Sequence, residues 1–107
     1  MILQLIADEY TDPGLGLDAV VTKLGISRTK INEILKTEVG FTFSAYLNKL
    51  RLSEAARLLS ENEEVNVAEI AYSVGYNNAS YFNKLFKSEY GCTPKSFNKI
   101  YEKNKKN

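Results

Sequence analysis

KINEILKTEVGFTFSAY, residues 30–46, and YFNKLFKSEYGCTPKSF, residues 81–97, align without a gap at a shift of fifty-one positions. Asn32, Lys36, Glu38, Gly40 and Thr42 meet identical residues at Asn83, Lys87, Glu89, Gly91 and Thr93. The apolar pairs Ile31/Phe82, Ile34/Leu85, Leu35/Phe86 and Tyr46/Phe97 agree in kind. A short apolar segment ending in glycine precedes each copy: LDAVVTKL before Gly25 and VAEIAYSV before Gly75, fifty positions apart. The offset changes by one in the following turn, where an insertion is tolerated best. Each copy reads as a short helix, a glycine turn and a longer helix packed across it, which is a helix-turn-helix.

The rest of the chain is also helical in pattern, with no sustained period-two alternation of the kind a strand needs. A first helix is expected from about Ile2 to Tyr10, with Ile2, Leu3, Leu5 and Ile6 on its apolar side. Pro13, Gly14 and Gly16 punctuate the next turn. A second helix spans about Leu17 to Leu24 and ends at Gly25 as a left-handed C′ residue. Ser27 caps a third, through Leu35. After Val39-Gly40, Thr42 or Ser44 caps a long helix on which Phe43, Tyr46, Leu47, Leu50, Ala55, Leu58 and Leu59 recur at three- and four-residue steps. That helix reaches about Ser60, and the polar run from Glu61 to Glu64 closes it. Asn66 caps a fifth helix, Val67 to Val74, stopped by Gly75. A sixth runs from about Ala79 to Tyr90 and stops at Gly91. Thr93-Pro94, an N-cap followed by proline at N1, opens a seventh toward Tyr101. The tail EKNKKN reads as a frayed end. The expected fold is all-α, with two helix-turn-helix subdomains (residues 1–41 and 62–107) joined by a linker helix (42–61).

Composition narrows the function. The 107 residues allow one domain or two very small ones, and 44% apolar with 25% charged content is ordinary for a globular protein. No apolar run approaches the ~18 residues of a membrane span. The start, MILQLIADEY, has neither the basic region nor the cleavage site of a signal peptide. Cys92 is the only cysteine, so an internal disulfide is excluded, and a reducing, cytoplasmic setting is expected. There is no histidine. Ser-His-Asp and Cys-His nucleophile systems and the common His-based metal sites are thereby removed. An enzyme would have to rest on Cys92 without a histidine base, and that reading is rejected. Neither a metal nor a cofactor is expected.

Net charge is only +1, but its distribution is uneven. Residues 1–66 carry seven basic and ten acidic side chains, whereas residues 67–107 carry seven lysines against Glu69, Glu89 and Glu102. A basic C-terminal third suits a polyanionic partner, although a solvated lysine face is the plainer alternative.

A helix-turn-helix lets its first helix brace a DNA backbone while the second presents its outer face to the major groove. On the third helix that face offers Arg28, Thr29, Lys30, Asn32, Glu33 and Lys36. On the sixth, the corresponding stretch offers Asn78, Ala79, Ser80, Tyr81, Asn83, Lys84 and Lys87. Amide, hydroxyl and cationic groups of this mixture suit base edges and phosphates. Such units also serve as plain packing modules, and any surface helix has a polar outer face. The competing reading is a protein-contact module on the same scaffold, but it predicts an apolar outer face on the sixth helix. Two copies joined by one helix make DNA binding the more specific expectation. Eighteen residues from Phe43 to Ser60 span roughly 27 Å at ~1.5 Å per residue. With the width of each motif added, the two reading helices approach the ~34 Å repeat of successive major grooves.

The stretch IAYSVGYNNASYFNKLFKSEYGCTPKSF, residues 70–97, resembles the second-motif signature of the AraC/XylS family of bacterial transcription regulators. Gly75, Tyr76, Ser80, Tyr81, Phe82, Phe86, Lys87, Gly91, Thr93 and Pro94 fall on that pattern. GISRTKINEILKTEVGFTFSAYLNKLRLSEAARLL is similar to the family's less uniform first motif and linker helix. The resemblance runs from about Ile2 to Tyr101. It implies a homeodomain-like fold of seven helices and DNA contacts by Thr29, Asn32 and Glu33 in one reading helix. In the other, Ala79, Ser80, Asn83 and Lys84 are implied. Phe82 is expected in the core, with Tyr46, Phe97 and the Leu58-Leu59 pair, while Tyr81 could stack on protein or on sugar-phosphate. Arg51 is expected in an intramolecular salt bridge rather than on a phosphate. Two departures stand out. Glu33 replaces a residue that is often basic, so the first motif binds weakly or reads cytosine N4. Ala79 offers only apolar contact, for instance to a thymine methyl. The resemblance further implies double-stranded DNA and RNA polymerase as partners and an activator role. It also implies a separate sensing or receiver domain, ligand-responsive or two-component, since no small-molecule ligand site is expected within this domain.

Overall fold

A computed structural model describes residues 1–102 of the chain, and the tail expected to fray lies almost wholly outside them. Its elements are α1 (Ile2–Glu9), α2 (Leu17–Leu24), α3 (Arg28–Glu38), α4 (Phe43–Glu61), α5 (Val67–Ser73), α6 (Ala79–Tyr90) and α7 (Pro94–Tyr101). No strand occurs among the described residues. Capping chemistry sets most starts. Ser27 Oγ accepts from Lys30 N–H, Asn66 Oδ1 from Glu69 N–H, Asn78 Oδ1 from Tyr81 N–H and Thr93 Oγ1 from Ser96 N–H. Thr42, not Ser44, caps α4, accepting from Ala45 N–H. Each cap satisfies a donor that the first turn leaves without an intrahelical acceptor. Gly25 and Gly91 close α2 and α6 in the left-handed conformation, at φ 67° and 79°. The third helix runs three residues past the expected Leu35, because its stop is Gly40, whose N–H donates back to the Leu35 and Lys36 carbonyls.

Two cores form, one toward each end of α4. Ile2, Ile6, Leu15, Val20, Ile31 and Leu35 pack with Phe43 and Leu47 at its N-terminal end. Ile70, Ala71, Val74, Tyr76, Phe82 and Phe86 pack with Leu52, Ala55 and Leu59 toward its C-terminal end. Phe82 and Phe86 are fully buried, and each contributes on the order of 1.5–3 kcal/mol of apolar burial. Tyr46, Leu58 and Phe97, expected in the core, are half-buried against its edges. Phe43, Leu47, Arg51, Ala55 and Leu59 form a buried row at four-residue steps. Such a row advances ~40° per step, so it winds about 160° around the helix from end to end. The two units therefore dock on different sides of α4 as well as at different ends. Asn98 on α7 ties down the far end: its buried amide donates to the Leu59 carbonyl at 2.7 Å and the Asn62 carbonyl at 2.9 Å.

Arg51 corrects an expectation. It makes no salt bridge among the described residues. Its guanidinium donates to two backbone carbonyls of the α1–α2 turn, from Nε to Tyr10 O at 2.7 Å and from Nη2 to Asp12 O at 2.9 Å. Carbonyls replace a carboxylate because Arg51 stands mid-row, between the two cores, where the turn brings its backbone. Burial lowers the guanidinium pKa below its ordinary value, with Tyr76 and Asp12 acting in the opposite direction.

Candidate nucleic-acid interface

Asn78 starts α6, and Phe82 and Phe86 turn its inner side into the core. The side chains this leaves outside are Asn78, Ser80, Tyr81, Asn83, Lys84 and Lys87, all exposed. Ala79 is half-buried and packs against the second core, so it fixes the first turn as well as facing outward. Asn83 Nδ2 donates to the Ala79 carbonyl one turn back, which leaves Oδ1 open. The Tyr81 ring meets the buried Tyr76 ring edge-on at 6.2 Å, so its orientation is set by protein. Lys84 and Lys87 have no ion pair among the described residues.

The outer face of α3 is arranged differently. Thr29, Asn32, Glu33 and Lys36 line one shallow hollow with Thr37 and Thr42. Arg28 is ion-paired with Asp18 of α2, and Lys30 Nζ lies 3.9 Å from Glu33 Oε1. Glu33 thus has a cationic neighbour one turn back on its own helix. Asn32, alone among the α3 candidates, is half-buried: its Oδ1 accepts from the Phe43 N–H at 2.9 Å. Of the five cationic side chains on the two faces, Arg28 and Lys30 are balanced by carboxylates, whereas Lys36 on α3 and Lys84 and Lys87 on α6 have no ion pair among the described residues. Two unpaired cations thus stand on α6 and one on α3.

Between the units lies a hollow that sequence reasoning did not single out, lined by Ser44, Asn48, Arg51, Tyr76, Asn77 and Tyr81 among others. Tyr76 donates its phenolic O–H to Asn48 Oδ1 at 2.7 Å, and the Arg51 guanidinium lies over its ring at 5.4 Å. Burial pushes the Tyr76 phenol up to about 12, against the pull of Arg51. Gly75 beside it has φ 114°, and a Cβ there would lie 2.5 Å from Arg51 Nε and 2.7 Å from the Tyr10 carbonyl. Gly25, its counterpart in the first copy, has open space at that point. The four-residue row on α4 was the available signal for Arg51, the one charged member of an otherwise apolar series. Among the described residues no helix is long and apolar enough to cross a membrane, and no group of three or more His, Cys, Asp or Glu side chains is placed to hold a metal.

Two glycine-turned helix pairs on a shared helix, each with a polar second-helix face, define a DNA-binding domain of the helix-turn-helix class. A family model described as a helix-turn-helix domain matches residues 20–100. The chain belongs to this family, in its AraC-type branch of transcription regulators. It is 33% identical over 95 residues to the HTH-type transcriptional activator RhaS of Escherichia coli, covering 89% of this chain and 34% of that protein. It is 30% identical over 98 residues to Histidine kinase P4 of Formosa agariphila, covering 92% of this chain and 7% of that one. Among solved structures, the C-terminal domain of AraT, a response regulator from Geobacillus stearothermophilus, superposes with TM-score 0.89 at 29% identity, over 99% of this chain and 87% of that one. The C-terminal domain of the two-component response regulator yesN from Fusobacterium nucleatum gives 0.84 at 33% identity, over 91% and 93%. The chain thus spans about a third of RhaS and under a tenth of Histidine kinase P4.

Proposed function

We propose that this domain is the sequence-reading output module of a longer bacterial regulator, and that one molecule places α3 and α6 in successive major-groove segments of a duplex. The observation that carries the reading is the exposed face of α6. Amides, a hydroxyl, a phenol and two unpaired lysines stand on a helix whose other side is locked into the core by Phe82 and Phe86. A protein-docking face of that size would present apolar side chains at its centre. The division of labour follows from charge. Lys84 and Lys87 supply phosphate attraction, α3 adds base contacts with Lys36 as its one unpaired cation, and Glu33 accepts from cytosine N4. RhaS is named an activator, and an activator role with contact to RNA polymerase is the corresponding proposal for this chain. Residues 1–41, 42–61 and 62–107 are proposed as first reading unit, connecting helix and second reading unit.

Selection of bound duplexes from a random pool, with the winners titrated against salt, tests this. An asymmetric site with two informative blocks about one helical turn apart is expected. A single block would reduce the first unit to a positioning element. Absence of enrichment even at low salt would overturn the reading in favour of a protein-contact module.

A further inference from the structure

The internal repeat places Asn32 and Asn83 at equivalent points of the two reading helices, yet their side chains are engaged differently, and one residue elsewhere in the repeat accounts for it. Asn32 Oδ1 accepts from the backbone N–H of Phe43, the first residue of α4. The position equivalent to Phe43 in the second copy is Pro94, the first residue of α7. Proline has no N–H to donate. Asn83 Oδ1 therefore has no such partner, and the side chain lies exposed along its own helix, with Nδ2 on the Ala79 carbonyl. That carbonyl already lies within the helix ladder, so the contact yields readily to a better acceptor. Asn32 cannot yield in the same way. Releasing it would leave the Phe43 N–H without its acceptor at the start of a helix whose first residue is 2% exposed.

An asparagine reads adenine in the major groove by accepting from N6 and donating to N7 at once, which requires both ends of its amide. Resting on the DNA-binding reading above, we infer that Asn83 is the adenine-specifying amide of this domain. Asn32, although identical in type and repeat position, is a positioning residue that fastens α3 to the start of α4. The two copies thus differ in what they read because of Pro94, a residue that touches no base.

The test compares base preferences and melting of the whole chain and three variants: Asn83→Ala, Asn32→Ala and Asn32→Asp. Aspartate keeps an acceptor for the Phe43 N–H but cannot donate to adenine N7. Asn83→Ala is expected to lose an adenine preference of about ten- to a hundredfold at one position, with melting unchanged. Asn32→Ala is expected to melt roughly 4–8 °C lower. Asn32→Asp is expected to melt near the parent, weaken all sequences alike through its added charge, and leave every base preference in place. A changed preference in Asn32→Asp, or an adenine preference that survives in Asn83→Ala, would overturn the inference while leaving DNA reading intact. A parent chain that selects no sequence would overturn both together.

Discussion

Gly75 is the residue on which the second unit meets the first. Its φ of 114° belongs to a region that side-chain-bearing residues avoid, and a Cβ there would lie only 2.5 Å from Arg51 Nε. Gly75→Ala should cost more than the ~1–3 kcal/mol of backbone strain alone, since Arg51 must also leave the Tyr10 carbonyl. Denaturant unfolding measures the loss. The same substitution at Gly25 meets open space and should cost only the strain. Tyr76 next door makes stability depend on alkaline pH. Its folded-state value of about 12 exceeds the ordinary 10, so the folded form holds its proton more tightly. The associated stability is complete below pH 10 and is lost as pH rises toward 12. Tyr76→Phe should flatten that decline in unfolding curves taken from pH 8 to 11.5, at the expense of the Asn48 hydrogen bond, about 0.5–1.5 kcal/mol.

Among elements, α3 and α6 are the pair to compare. Lys87→Ala should weaken every sequence alike and lower the slope of log K against log salt by ~0.9. Arg28→Ala should change that slope by less, because Arg28 already holds Asp18; titrations of both variants against salt decide it. The elements themselves were legible in the sequence, since caps such as Ser27, Asn66 and Thr93 and stops such as Gly25 and Gly91 are local devices that carry their own signature. The outer faces of α3 and α6 proposed for DNA contact were picked out by the repeat. Partnerships across long separations did not. Arg51 reaches 41 residues back to Tyr10, and Tyr76 reaches 28 back to Asn48. Periodicity marks Arg51 as buried but is silent on which carbonyls it meets. Asn32 was named for the interface by its place on the third helix and by the family resemblance; its hydrogen bond to Phe43 appears only when α4 starts beside it.

At the scale of the molecule, the Cα radius of gyration of 15.2 Å exceeds the ~13 Å expected of a compact domain of this length. The shape is elongated, 51 × 24 × 21 Å, with one core toward each end of α4. Laid along a duplex at ~3.4 Å per base pair, a body of that length covers roughly 15 base pairs. Nuclease protection by a single bound molecule should match that extent. Near the middle of this axis, Arg51 ties the α1–α2 turn to α4 and lies over Tyr76 of the second unit. Arg51→Met leaves the Tyr10 and Asp12 carbonyls without their donor and should destabilise by roughly 2–4 kcal/mol. It should also let the domain tolerate an extra base pair between its two blocks, which binding to a series of spacer lengths would show.

The Arg51 crossing also bears on how such proteins can be recombined. Its members come from the α1–α2 turn, the middle of α4 and the turn before α6, so any cut between residues 12 and 75 separates them. A hybrid that joins the first half of one relative to the second half of another inherits a mismatched crossing wherever the parents differ there. Hybrids that carry residues 10–12, 51 and 75–76 from a common parent should retain both halves of their operator preference, and hybrids cut simply within α4 should lose the fixed interval between them.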